Sequence, residues 1–318
     1  MRATRPDDSR RRTIAMLVFD GARLLDVTGP VEVFDVAIGL GAPYEVVICS
    51  PDGEDITTSG GLRIGVSHPA GVLNDVDTLV VPGGECLVDS GPSDALVESI
   101  VRLAEGARRV TSICAGSFAL GTAGLLEGRR ATTHWKHTST LRDRFPTVTV
   151  DPDSIYVRDG RILTSAGVSA GIDLALALVE EDEGDEMAHD IARDLVVFMR
   201  RFGAQPQLSL PARTVRPRRN PLRTLCDEIA ADPAADHTLP ALATRAGMSE
   251  RHLRRLFTEE VGCSPTAYVA AVRLEAALSL RQAGETAAAA ARRSGLGSEQ
   301  NLRRAMRRSA AEPAKRSS

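Results

Sequence analysis

The sequence predicts an α/β domain built on a mostly parallel sheet, followed by a smaller all-α domain. Three observations predict it. From Thr13 to Phe202, short and nearly continuous apolar runs alternate with helical segments. From Pro221 onward the chain reads as helices alone, punctuated by glycine and serine. The charge also divides near this boundary. Residues 1–210 carry 20 Lys and Arg against 31 Asp and Glu, a balance of −11, while residues 211–318 carry 19 against 11, a balance of +8, which together make the −3 of the whole chain. A length of 318 residues fits two domains at roughly 100–200 residues each.

The elements of the first domain follow in order. Ile14–Phe19, Tyr44–Ser50, Thr78–Val81, Arg109–Ile113 and Ile162–Ser165 read as strands, and Pro30–Ile38, Ala95–Ala107, Ala115–Ala123 and Gly171–Val179 as helices. The strands are apolar on both faces, which implies a sheet covered by helices on both sides. Ser59-Gly60-Gly61 reads as a turn, and the acidic run Glu180–Glu186 as a solvated helix end or loop. Residues 1–12 are polar and basic and are expected to be disordered, which leaves 13–204 as the first domain. Gln205–Asn220 holds Pro206, Pro211 and Pro217 among arginines and reads as a linker to a second domain over 221–318.

In the second domain Leu239–Phe257, LPALATRAGMSERHLRRLF, carries the strongest local pattern. Leu239, Leu242 and Ala243 form one apolar stripe. Gly247 suits the left-handed end of a first helix, and Ser249 suits the N-cap of the next. Leu253, Leu256 and Phe257 face inward, which leaves Arg251, Arg254 and Arg255 outside. Such a helix suits a major groove, where arginine pairs with guanine or phosphate. The pattern returns 49 residues later, with Ser298, Leu302, Ala305 and Met306 in place of Ser249, Leu253, Leu256 and Phe257. Gln300, Arg303 and Arg304 take the outward positions, and a helix starting at Ser264-Pro265 joins the two units. With these motifs, Pro221–Arg308 resembles the DNA-binding domain of the AraC/XylS family. The resemblance is specific in ALATRAGMSERHLRRLF and GCSPTAYVAAVRLEAAL and weaker in the second unit, whose first helix is the alanine run Ala287–Ala291.

The five cysteines are scattered and form no CxxC pair, so the sequence predicts a reducing cytoplasm, no disulfide framework and no zinc site. His134 and His137 lie three apart without a carboxylate or cysteine at ligand spacing, so no metal is expected. No cofactor, no secretory signal and no membrane-spanning run is expected either. Cys114 follows a strand and precedes a helix in CAGS, the layout of a nucleophile elbow. The helix N-terminus is expected to favour its thiolate. The Ala115 N–H with one from Gly83-Gly84, Gly84 first, is a candidate oxyanion hole. His134 is expected to orient the thiol or share its proton, and Asp26 to be the nearby carboxylate. A small buried cysteine beside a satisfied histidine explains the same spacing.

A second resemblance covers Ile14–Phe202. The segments AMLVFDGARLLDVTGPVEVFDVA, DTLVVPGG, SICAGSFALGTAGLLEGRRATTHW and ILTSAGVSAGIDLAL resemble the ThiJ/PfpI branch of the class I glutamine-amidotransferase-like fold. It implies a flavodoxin-like sheet and a reactive cysteine at Cys114, with Asp26 and His134 beside it. Protease-like members carry histidine directly after that cysteine, whereas this chain has Ala115, which argues against peptidase activity. The order of the two domains resembles the GlxA family of transcriptional regulators. That resemblance implies a regulator that binds double-stranded DNA, with the first domain as a sensor of a small effector or a homodimerisation module. The alternative is a cysteine-dependent isonitrile hydratase or amidase using Cys114.

Overall fold

The computed structural model describes residues 11–197, 201, 203, 206–208, 217–282 and 284–311. Residues 1–10 of the expected disordered terminus lie outside the described residues, whereas Arg12 already belongs to a strand. Most of the expected linker also lies outside them. The chain divides into two compact units, the first ending at Gln207 and the second starting at Leu208.

The first unit is built on a seven-stranded sheet. Its strands are β1 (Arg12–Leu17), β2 (Tyr44–Ser50), β5 (His68–Pro69), β6 (Val76–Val81), β7 (Arg109–Ile113), β10 (Tyr156–Asp159) and β11 (Ile162–Ser165). The short β3 (Ile56–Thr57) pairs with β4 (Arg63–Ile64), and β8 (Arg130–Ala131) with β9 (Thr149–Val150), outside it. The strand order is β10-β11-β7-β6-β1-β2-β5, and only β10 runs antiparallel to its neighbour. The run β2-β1-β6-β7-β11 is the flavodoxin order, in which ligands bind beyond the carboxyl ends of the strands.

Helices cover both faces. α1 (Leu24–Gly39), α6 (Ser169–Glu183) and α7 (Asp185–Asp194) pack together on one side. The short α2 (Glu85–Asp89), α3 (Asp94–Gly106) and α4 (Gly116–Thr122) pack on the other, and α5 (Thr138–Arg144) lies beside β9. α3 shows why these segments fold as they do. Ser93 caps it by accepting from the Leu96 N–H at 3.3 Å, and Leu96, Ile100, Leu103 and Ala104 fall on one buried stripe. Each large apolar side chain on such a stripe contributes about 1.5–3 kcal/mol through burial.

Two readings are corrected here. The first α1 helix starts at Leu24, not at Pro30, which sits inside it. Proline reads as a first-turn residue, but the turn before it is pinned from outside by bonds to the Asp26 side chain. The acidic run is a helix end, one of the two forms expected, and Glu181 and residues 184–186 are exposed, but it is not simply solvated. Its first half completes α6, and Asp182 is buried against the start of the strands. Asp182 Oδ2 accepts from Arg109 Nη2 at 2.6 Å and from the Tyr44 hydroxyl at 2.8 Å, and Arg108 Nη2 donates to Oδ1 at 3.0 Å. Arg109 is 2% exposed and also donates to Thr78 Oγ1 and Glu181. Glu183 pairs with Arg12, and Glu181 with Arg158.

The second unit contains α8 (Asn220–Ala231), α9 (Leu239–Arg245), α10 (Glu250–Val261), α11 (Pro265–Gln282), α12 (Ala287–Arg293) and α13 (Glu299–Ala311). Ser249 caps α10 by accepting from the His252 N–H at 3.3 Å, and Gly247 takes φ +64° in the turn before it. Leu222, Leu225 and Ile229 of α8 join Leu242, Leu253, Leu256, Phe257 and Tyr268 in one core. Around the second helix-turn-helix the core shrinks to Leu274, Ala277, Ala291 and Leu302. Met306, the counterpart of fully buried Phe257, is 47% exposed.

Asp182→Ala leaves the buried Arg109 guanidinium without its closest partner. The expected cost is about 3–5 kcal/mol of stability in the first unit, read by denaturant unfolding. A loss below about 1 kcal/mol, the scale of an exposed pair, would show that the network is peripheral.

Candidate functional site

Cys114 is the corner between β7 and α4. Its φ is +55°, a left-handed value that costs an ordinary residue about 1–2 kcal/mol. The corner holds because the chain closes around it at three glycines, two on neighbouring loops and one at the start of α4. A Cβ on Gly167 would lie 2.1 Å from Cys114 Cβ, one on Gly83 2.7 Å from it, and one on Gly116 2.3 Å from the Val81 carbonyl. The Cys114 N–H donates to Ser165 O at 3.0 Å, which extends the β7–β11 pairing into the corner.

Asp26 is fully buried beside the thiol. Its Oδ2 accepts from the Gly83 N–H at 3.1 Å and its Oδ1 from the Val168 N–H at 2.8 Å. Cys114 and Asp26 flank Gly83 together: a Cβ there would lie 2.7 Å from Cys114 Cβ and 2.8 Å from Asp26 Oδ2. Burial raises the Asp26 pKa above the ordinary carboxylate value, against the lowering effect of those two N–H donors and of Arg23. Burial, reinforced by Asp26, pushes the Cys114 thiol up to about 12, while the Ala115 N–H works the other way. The expectation that the helix N-terminus favours the thiolate is therefore corrected. α4 is only seven residues long, and desolvation with an adjacent carboxylate outweighs it.

His134 does not meet the thiol. Among the described residues no hydrogen bond joins it to Cys114. Its Nδ1 accepts from the Lys136 N–H at 3.4 Å, and its ring lies 5.6 Å from Trp135 and 5.7 Å from His137. Burial, then His137 and Arg23, hold its pKa down to about 4, so it is neutral at pH 7. The residue that links this segment to the elbow is Thr133, whose Oγ1 donates to Cys114 O at 2.9 Å. Sequence reasoning passed over it, although it stands beside His134 in the quoted segment. It also missed the rim. Glu85 accepts from Arg23 at 3.4 Å and pairs with His137 Nε2 at 3.1 Å. These residues are too far apart in sequence for spacing to signal them. Of the expected oxyanion donors, the Gly83 N–H is already engaged by Asp26. Gly84 stands at the start of α2, close to Gly21 and Phe19.

The second unit presents its arginines as the periodicity predicts. Arg251, Arg254 and Arg255 are exposed on α10, opposite buried Leu253, Leu256 and Phe257. Arg255 pairs with Glu259 at 2.9 Å, whereas Arg251 and Arg254 make no ion pair among the described residues. On α13, Gln300, Arg303 and Arg304 are exposed, and Arg303 pairs with Glu299.

The raised thiol has a pH signature. The thiolate absorbance difference between the wild type and Cys114→Ser is expected to stay flat from pH 6 to 10. A step near neutrality would overturn the electrostatic account. In stability terms, a thiol raised in the fold contributes fully below the unfolded value of about 8.5. That contribution is lost as pH rises toward about 12.

Comparison with known proteins agrees with this architecture. The DJ-1/PfpI family matches residues 12–181, and a helix-turn-helix domain matches residues 242–316. An isonitrile hydratase of Pseudomonas putida is 32% identical over 247 residues, covering 76% of this chain and 97% of that protein. The HTH-type transcriptional regulator GlxA of Rhizobium meliloti is 30% identical over 221 residues, covering 69% of this chain and 67% of the relative. A crystal structure of a ThiJ/PfpI family protein from Pseudomonas syringae matches with a TM-score of 0.55 and 26% identity, over 77% of this chain and 95% of that one. The chain belongs to the DJ-1/PfpI family, in the form that continues into an AraC-type helix-turn-helix domain.

Proposed function

We propose that this protein is a sequence-specific DNA-binding transcription regulator whose DJ-1/PfpI unit binds a small effector at the Cys114 elbow. The observation that carries the DNA-binding part is the exposed arginine face of α10, capped by Ser249 and backed by a complete core. Arg251 and Arg254 are the main base or phosphate contacts, with Arg255 released from Glu259 on binding. Gln300, Arg303 and Arg304 supply a weaker second contact, in keeping with the small core beneath them. The opposite charge of the two parts keeps the acidic unit away from phosphate. In this reading the protein works in the cytoplasm as a homodimer and needs no cofactor.

Binding to a target duplex is expected to weaken steeply with salt, because phosphate contacts release counterions. Arg251→Ala and Arg254→Ala are each expected to cost about 1–3 kcal/mol, roughly 5- to 150-fold in affinity. Mobility shift and footprinting measure this. Two folded variants that protect the same site as well as wild type would remove α10 from the interface.

A second reading is favoured by the identity with an isonitrile hydratase and by the buried Asp26–Cys114 pair. In it Cys114, Asp26 and the Gly84 and Ala115 N–H groups bind and hydrate a small substrate, with His134 outside the proton path. The thiol pushed up to about 12 and the engaged Gly83 N–H weigh toward ligand holding over attack. Isonitrile turnover by the full chain, lost in Cys114→Ser, would establish hydration. Its absence across a panel of isonitriles leaves the regulatory reading alone.

A further inference from the structure

The last stretch of the first unit returns to the loops that build the elbow. Arg201 bonds Asp173 through its backbone N–H and Nε at 2.9 Å each and through Nη2 at 2.6 Å, and Nη2 also donates to Ser169 Oγ at 2.9 Å. Ser169 follows Val168, whose N–H donates to Asp26. A Cβ on Gly203 would lie 2.7 Å from Tyr156 O, so the chain runs hard against β10. Pro206 bridges to Ser154, and the Gln207 N–H donates to Asp153 O at 2.8 Å.

Among the described residues of the stretch, Gln207 makes the most hydrogen bonds. Its Nε2 faces four oxygens: Thr133 O at 2.9 Å, Thr132 Oγ1 and Pro152 O at 3.2 Å, and Ser154 O at 3.3 Å. Its Oε1 is buried with no hydrogen-bond partner. Four converging acceptors fix which end of the amide points inward, since the reversed amide would set an oxygen against four oxygens. Thr133, held this way at its carbonyl, donates through its own hydroxyl to Cys114 O. One residue therefore separates Gln207 from the elbow. The next residue after Gln207 opens the second unit.

We propose that Gln207 is a positioning residue for the Cys114 site: it holds the Thr132-Thr133 loop against the elbow, so that disturbance at Cys114 is felt at the chain entering the helix-turn-helix unit. The second half of this statement rests on the reading of the elbow as the effector site. The link is mechanical and short, made of directional hydrogen bonds with no apolar slack between them. Energetic coupling of this kind is reciprocal, so it is measurable from either end.

The test uses the full chain and iodoacetamide, with Cys114 modification followed by peptide mass spectrometry at pH 8. Cys114 is 4% exposed, so its alkylation reports opening of the elbow. Gln207→Leu, which keeps volume and removes the donor, is expected to speed Cys114 alkylation at least about five-fold, the effect of a lost buried hydrogen bond. Gln207→Glu, which sets carboxylate oxygens against four acceptors, is expected to speed it further. In the reverse direction, wild-type protein alkylated at Cys114 is expected to exchange the Gln207 amide hydrogen faster than unmodified protein. Alkylation rates within two-fold of wild type in both variants, with Thr133→Val clearly faster, would overturn the role of Gln207. If the coupling is present and alkylated and unmodified protein bind the target duplex equally, the positioning role stands and the effector reading of the elbow fails.

Discussion

The buried carboxylate of Asp26 is the interaction on which the candidate site depends. One oxygen holds the loop after β6 through Gly83, and the other holds the loop after β11 through Val168. Two residues of the site, Cys114 and Val168, sit in left-handed backbone conformations that strain any side chain. Strain of that kind persists only where the surroundings over-determine the geometry, and Asp26 supplies much of that determination. The same carboxylate, held at zero exposure, works against ionisation of the neighbouring thiol. The site thus has a buried carboxylate and thiol at its centre, and a charged rim at Arg23, Glu85 and His137.

This electrostatic state shapes the functional reading. A nucleophilic cysteine of the usual kind has a lowered pKa and an electropositive neighbour. Cys114 is raised instead, because burial and Asp26 outweigh the lowering pull of Arg23, and the histidine expected to serve it bonds elsewhere. An elbow built this way agrees with the ligand-holding role proposed for it, and the basic face of α10 with the proposed DNA contact. The two helix-turn-helix units are unequal for a packing reason. Phe257 and Tyr268 stack edge to face at 5.5 Å in the first core, and alanines stand in the second.

Much of this was legible in the sequence. Central strands such as Tyr44–Ser50, Arg109–Ile113 and Ile162–Ser165 follow directly from continuous apolar runs between turn residues. The exposed face of α10 follows from helical periodicity and a serine cap. What escaped was long-range. Pro30 hid the first turn of α1, because local rules cannot see a carboxylate pinned by loops that arrive later in the chain. The acidic run read as solvated because its partners, Arg109 and Tyr44, lie far upstream. Thr133 was overlooked beside a histidine, since a hydroxyl bonded to a backbone carbonyl leaves no compositional trace. Helix α8 went unassigned for a similar reason: its value lies in the core it completes.

The buried Arg109–Asp182 pair lies where β7 begins, and the thiol elbow lies where the same strand ends. Stability and chemistry are thereby assigned to opposite rims of one sheet. No side chain of the elbow takes part in the bonds described for the charged network, and none of the network's side chains lines the elbow. That separation gives the fold evolutionary latitude. The residue after the thiol, Ala115, belongs to the elbow end alone. New ligands become accessible to the scaffold through changes of a few loop residues, without rebuilding the body that carries them.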